Sequence, residues 1–196
     1  MPLLTKVTSY IKRKTSRKYR FNLEYAGKQW ESLRDLEDLS RYSLIIGYTR
    51  FFFPQGRLLD LGCGEGILHE RYHPSDYSAY LGIDISDVAI ENARKKSNEK
   101  SNFQVGNIDK LDIEGKYDAI IFNESLYYAQ NKLRSVQSIL KNLGDGGIII
   151  ISNYNNRGED PVDLWQELSE ILDLHERLRI TNKQGNVWTL HIYKLK

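Results

Sequence analysis

Leu58-Leu59-Asp60-Leu61-Gly62-Cys63-Gly64-Glu65-Gly66 decides the architecture. Residues 57–61 form a short apolar run that reads as a buried strand entering a turn. Three glycines then stand at every second position, where a chain needs positive φ or close approach of its backbone to a ligand. Dinucleotide-binding folds place G-x-G-x-x-G at such a strand-to-helix turn and seat a pyrophosphate on the helix N-terminus. Here the third glycine, Gly66, falls one position early, and residue 67 is Ile. Asp60 and Glu65 also bring two carboxylates close to where phosphates would sit. Negative charge disfavours a pyrophosphate and favours a cation, so the loop suits a ligand carrying an amino group and a sulfonium.

Outward from this loop the chain alternates strands and helices. On the C-terminal side, patterning predicts a helix over 68–72, a strand over 80–85, and a helix over 87–97 capped by Ser86. Strands over 103–105 and 117–122 follow, the latter (YDAIIF) apolar enough to be buried on both faces. A helix over 133–143 closes at Gly144, Gly146 and Gly147, ahead of a strand over 148–152. A helix over 161–172 precedes two strands, 174–181 and 187–195, the second alternating Val187, Thr189, His191, Tyr193 against Trp188, Leu190, Ile192. On the N-terminal side, residues 31–49 carry Leu33, Leu36, Leu39, Tyr42 and Ile46 near the helical period. The expectation is an α/β, Rossmann-like, seven-stranded mixed sheet flanked by helices, closed by a C-terminal antiparallel pair, with an N-terminal helical lid. Residues 1–50 read as a basic arm and lid, and 51–196 as the core.

Composition narrows the class. The 196 residues suit one domain, and 3 Trp, 13 Tyr and 6 Phe argue against disorder. No aliphatic run exceeds Ile148–Ile151, so no spanning helix is expected. Neither a secretory signal nor a disulfide is expected, since Cys63 is the single cysteine; the expected compartment is the cytoplasm. One Cys and 4 scattered His build no cysteine-rich zinc site, and no metal is expected. The charge is unevenly placed: Lys6, Lys12, Arg13, Lys14, Arg17, Lys18 and Arg20 face no acid within the first 20 residues. With Leu3, Val7 and Ile11 at four-residue spacing, this segment reads as a short basic amphipathic helix. It is either a handle for an anionic partner or a solvated arm docked on the domain.

The glycine loop resembles motif I of the class I S-adenosylmethionine (SAM)-dependent methyltransferases, in one of its more specific forms. The resemblance covers residues 55–153 well and the rest loosely. It implies a cofactor site made by Asp60, Gly62, Cys63 and Gly64. In Leu81-Gly82-Ile83-Asp84-Ile85-Ser86, Asp84 would grip the ribose hydroxyls, with Ile85 beside it. In Val105-Gly106-Asn107-Ile108-Asp109, Asn107 would face the adenine amine and the Ile108 N–H a ring nitrogen. Asn107 stands where the family usually has Asp, and Asp109 competes for that contact. Asn123-Glu124-Ser125-Leu126-Tyr127-Tyr128 resembles motif IV. There Asn123 would face the cofactor, and Glu124, then Tyr127, would serve as base or amine anchor. Tyr25-Ala26-Gly27-Lys28-Gln29-Trp30 is similar to a Y-x-x-x-x-W stretch of small bacterial members, in which Tyr25 and Trp30 would enclose the sulfonium.

These implications favour methyl transfer to a hydroxyl or amine of a small molecule, a sugar or specialised metabolite. The Asn-Pro-Pro-Tyr tetrapeptide that holds planar nitrogens in related enzymes is absent after the fourth strand. Glu-x-Leu-Tyr-Tyr faintly resembles nodulation-type sugar-amine N-methyltransferases. Nucleic acid is the less expected partner and a homodimer is possible. The competing readings are an RNA or protein methyltransferase using the basic arm, and a non-catalytic SAM-binding subunit.

Overall fold

The structure is a computed structural model that describes residues 16–155 and 161–196. In chain order these form α1 (Arg17–Ala26), α2 (Leu36–Phe52), β1 (Gly56–Leu61), α3 (Ile67–Arg71), β2 (Tyr77–Asp84), α4 (Asp87–Arg94) and β3 (Ser101–Val105). There follow β4 (Tyr117–Asn123), α5 (Lys132–Ile139), β5 (Leu143–Tyr154), α6 (Val162–Ile171), β6 (Leu172–Thr181) and β7 (Val187–Leu195). The seven strands make one sheet in the order β3-β2-β1-β4-β5-β7-β6. All neighbours are parallel except β7, which runs antiparallel to both β5 and β6. The expected mixed sheet and its closing pair are therefore what the chain forms.

The apolar runs explain the layering. Leu58, Ile121 and Ile150 point to one face, against Tyr42 and Ile45 of α2 and Leu68 of α3. Leu59, Ile120, Ile149 and Ile151 point to the other, against Val136 and Ile139 of α5 and Trp165 and Leu168 of α6. Each such side chain contributes about 1.5–3 kcal/mol on burial. Strand order reverses at β1, which lies between β2 and β4. That switch point opens a crevice beyond the carboxyl ends of the strands.

The candidate helix marked by Leu3, Val7 and Ile11 lies outside the described residues. Within them, the N-terminal region departs from expectation in two ways. The stretch 31–49 is a 3-10 turn (Glu31–Arg34) followed by α2, which runs on to Phe52 just before Pro54. Its buried stripe is Arg41, Tyr42, Ile45 and Thr49, while Leu36 is 79% exposed and Leu39 is exposed too. Of the expected stripe only Tyr42 is buried, and α2 turns Ile45 and Thr49 inward with it in place of Leu36, Leu39 and Ile46. Finally, α1 is a helix that apolar periodicity does not show, because Phe21 is its one buried residue. Polar anchors fix it instead: the Ser16 cap (Tyr19 N–H to Oγ, 3.2 Å), the Lys18–Asp87 ion pair (2.8 Å), and Ser86 Oγ–H donating to Asn22 (2.7 Å).

Candidate active site

Strand ends and the N-terminal elements enclose a cavity of about 410 Å³ at the switch point. That volume lies in the range of about 300–1,000 Å³ typical of small-molecule sites. Its floor is the glycine loop. Gly62 and Gly64 both take positive φ (80° and 54°), the left-handed region in which a side chain is strained. A Cβ on Gly62 would collide with Ser125, and one on Gly64 would come within 2.8 Å of the Tyr25 hydroxyl. At these two positions the loop is a cradle lined by backbone, with no room for a side chain.

Asp84, at the end of β2, is 7% exposed and lies beside this cradle. Its carboxylate accepts from the Gly64 N–H (3.0 Å) and the Ser86 N–H (2.8 Å). Burial pushes its carboxyl up to about 6, and those backbone hydrogen bonds oppose the shift. Its oxygens can accept beyond these backbone donors, as hydroxyl groups of a ligand would require. Ser86 Oγ accepts from the Ala89 N–H (3.1 Å), so the expected cap of α4 forms and holds Asp84 in place.

Most of the residues expected at the site meet in this one cavity. Tyr25, Trp30, Gly62, Cys63, Gly64, Asp84, Ile85, Asn107, Ile108, Asn123, Glu124 and Tyr127 all line it. Asp60 is the departure. Alternation along β1 turns it beneath the floor, where its carboxylate accepts from the Tyr80 hydroxyl (2.5 Å) and its second oxygen is buried without a partner. Burial pushes Asp60 up to about 7, with the Tyr80 hydrogen bond opposing. Asn107 lines the wall, and its side-chain oxygen also accepts from the Asp109 N–H (3.0 Å), capping the turn Ile108–Lys110. Asp109 does not line the cavity. It pairs with Arg17 and accepts from the Gln130 N–H (2.8 Å).

Four aromatic rings cover the cradle. Phe21 meets Tyr128 edge-on (5.0 Å) and Trp30 at 6.5 Å, and Trp30 lies 6.0 Å from Tyr25. Arg17 ties this cover down, donating to the Tyr128 carbonyl as well as to Asp109. Burial first, and then the charge of Asp84, raise the Tyr25 phenol well above its ordinary value, so it stays neutral. The Trp30 indole N–H is buried without a hydrogen-bond partner.

The far end of the cavity lies beyond β4 and β5. Glu124 takes φ 57°, rare for a residue with a side chain and costing about 1–2 kcal/mol. Its N–H donates to Ser152 Oγ (3.0 Å), which stabilises the turn. Its carboxylate accepts from Ser152 Oγ–H (2.7 Å), Tyr154 N–H (2.7 Å) and Tyr127 O–H (3.3 Å). Burial raises Glu124, against the charge of Arg41. Burial, and then the charge of Glu124, raise the Tyr127 phenol strongly, so it stays protonated.

Arg41 is the wall residue that sequence patterning missed. It is 1% exposed, donates to Asn123 and to Asp38 (2.6 Å), and stacks on the Tyr42 ring (4.5 Å). Burial alone would lower its guanidinium, but the charges of Glu124 and Asp38 and the hydrogen bond it donates to Asp38 outweigh it. Trp188 was missed as well: β5–β7 pairing sets it opposite Tyr154, their rings 5.5 Å apart. Among the described residues no cluster of three or more His, Cys, Asp or Glu could hold a metal, and no helix is long and apolar enough to cross a membrane.

Comparison with known proteins agrees with this geometry. A methyltransferase-domain family profile matches residues 53–194. The malonyl-[acyl-carrier protein] O-methyltransferase of Priestia megaterium is 29% identical over 144 residues, covering 71% of this chain and 51% of that protein. The chain spans about half the length of such curated relatives. Among solved structures, the N-methyltransferase NodS of Bradyrhizobium japonicum WM9, in complex with S-adenosylhomocysteine, superposes with a TM-score of 0.73 at 16% identity. It covers 96% of this chain and 97% of that one. Magnesium protoporphyrin IX methyltransferase from Synechocystis PCC 6803, with bound SAM, gives a TM-score of 0.73 at 16% identity, covering 90% and 94%. The chain belongs to the SAM-dependent methyltransferase-domain family, with the class I Rossmann-like fold.

Proposed function

We propose that the chain transfers the methyl group of SAM to a hydroxyl or amine of a small molecule inside this cavity. The observation that carries the reading is the continuity of one cavity from Asp84 to Glu124 and Trp188. A nucleoside end and an acceptor end thus share one enclosed space.

The residues present fit the cofactor. The backbone at Gly62 and Gly64 admits a ligand closely, the Asp84 carboxylate can accept from hydroxyls, and the orphaned Trp30 N–H can donate to a ligand acceptor. Asn107 and the Ile108 backbone would hold the adenine, and Tyr25 and Trp30 would cover the methionine portion and exclude water. When bound, SAM supplies an electrophilic methyl carbon, which a lone pair attacks while the C–S electrons return to sulfur. Alignment of two reactants in such a space supplies about 7–11 kcal/mol in favourable cases. Glu124 is the proton acceptor of this reading, oriented by Ser152 and the Tyr154 N–H, with Tyr127 beside it.

A small acceptor is supported by the cover over the cavity and by the fate of the basic segment. Of its seven bases, the three within the described residues, Arg17, Lys18 and Arg20, are each paired with a carboxylate of this chain, Asp109, Asp87 and Glu24. The test is methyl transfer from radiolabelled SAM to pooled small amines and alcohols, with bulk RNA and cell protein as parallel acceptors. Label in the small-molecule fraction supports the proposal. Label confined to RNA or protein overturns it.

A further inference from the structure

We propose that the acceptor is an amine, taken up as its ammonium form against Glu124 and the rings of Tyr127, Tyr154 and Trp188. This rests on the methyltransferase reading above and narrows it to one acceptor chemistry.

The first observation is the charge of the wall. Among the described residues four carboxylates line the cavity (Asp38, Glu65, Asp84 and Glu124) against two guanidiniums, Arg17 and Arg41. Arg17 is already neutralised by Asp109, which stands outside the wall. Glu65 meets a neutral partner, the Asn92 amide (2.6 Å). SAM itself brings two positive groups and one carboxylate, a net single positive charge. The wall therefore remains anionic with the cofactor in place. In an enclosed site a further cation relieves that charge, whereas an anion adds to it and a neutral group leaves it standing.

The second observation concerns Arg41, the one guanidinium at the acceptor end among the described residues. A carboxylate acceptor would be recognised by a guanidinium fork. Its two terminal nitrogens already donate to Asn123 and to Asp38, and its buried Nε–H has no partner. Among the described residues no uncommitted guanidinium fork faces the acceptor end.

The third is the character of Glu124 and its surroundings. Three donors occupy its carboxylate, out of about four acceptor positions, so one remains to meet an N–H. The Tyr154 and Trp188 rings, 5.5 Å apart, stand on the same wall, and aromatic faces attract cations. The proton balance is simple. The ammonium gives one proton to the Glu124 carboxylate, which becomes a carboxylic acid and leaves a neutral amine with its lone pair free. That lone pair forms the N–C bond as the C–S bond breaks toward sulfur; the product leaves as its own ammonium, and the proton held on Glu124 passes to solvent, which restores the carboxylate.

The test is calorimetric titration of benzylamine, benzyl alcohol and benzoate into protein saturated with S-adenosylhomocysteine, for the wild type, Glu124→Gln and Trp188→Leu. Benzylamine is expected to bind at least about tenfold more tightly than the other two. Glu124→Gln is expected to remove that preference while retaining S-adenosylhomocysteine binding, and Trp188→Leu to weaken benzylamine severalfold more than benzyl alcohol. Equal binding of the three, preference for benzoate, no binding by any of them, or a preference that survives in Glu124→Gln overturns the proposal. Failure of wild-type protein to bind S-adenosylhomocysteine would instead overturn the cofactor reading beneath it.

Discussion

Replacing Asp84 by Asn separates the two demands placed on that residue. In the free protein the Asp84 carboxylate is held above its ordinary range, at about 6, because burial disfavours its charge. A folded-state value raised from 3.8 means that ionisation opposes folding above pH 6, by about 3 kcal/mol for two pKa units. Asparagine removes that opposition. It keeps an acceptor for one of the two backbone N–H groups, from Gly64 and Ser86, and leaves the other unpaired at a cost of about 1–3 kcal/mol. The free variant should therefore be as stable as the wild type at pH 7.5, or slightly more so. Cofactor binding should move the other way. Loss of charge-assisted acceptance from two hydroxyls amounts to about 3–4 kcal/mol, or roughly a 10²–10³-fold rise in Kd. The assay is paired: thermal unfolding of the free variant, and calorimetric titration with S-adenosylhomocysteine. A variant of unchanged stability that binds within about fivefold of wild type would refute the role given to Asp84.

Three further substitutions probe the surroundings. Asp60, raised from 3.8 to about 7, contributes stability present in acid and lost as pH rises toward 7. Asp60→Asn should thus gain roughly 2–3 kcal/mol over wild type between pH 5 and pH 8 in urea unfolding, and a constant difference across that range would contradict the buried carboxyl. Gly64→Ala should weaken S-adenosylhomocysteine binding by forcing away the Tyr25 hydroxyl, 2.8 Å from the new Cβ. Adding Tyr25→Phe should restore part of the loss, and no rescue in the double variant would show that backbone strain alone is responsible. Arg41→Ala leaves Asp38 and Glu124 without their cation and should destabilise the fold by about 3–5 kcal/mol in denaturant, whereas a change below about 1 kcal/mol would mean that the guanidinium is not paired in solution.

What the sequence made legible was local. The glycine cradle, the strand ending at Asp84 and the Ser86 cap each depend on a few consecutive residues, and each formed as read. Alternation over 187–195 was enough to place β7 in the sheet. What stayed hidden depended on partners far along the chain. Nothing in the local pattern singles out Arg41, because its partners are Asn123, 82 residues later, and Asp38. Helix α1 lacks an apolar stripe because Asp87, Ser86 and Asp109 hold it by polar contacts. Asp60 lies within the motif yet faces Tyr80, since the pleat of β1 sends alternate side chains to opposite faces. Trp188 reaches the cavity only through the β5–β7 register that pairs it with Tyr154.

With Asp60 turned beneath the floor, the Glu65 carboxylate on the cavity wall is the loop's remaining physical ground for choosing a sulfonium cofactor over a dinucleotide, and one comparison tests that choice most directly. Wild-type protein should be titrated calorimetrically with S-adenosylmethionine, S-adenosylhomocysteine and NAD under identical conditions. The account predicts saturable binding of the first two at one site per chain, and no heat from NAD. Binding of NAD with no response to either adenosyl compound would contradict it.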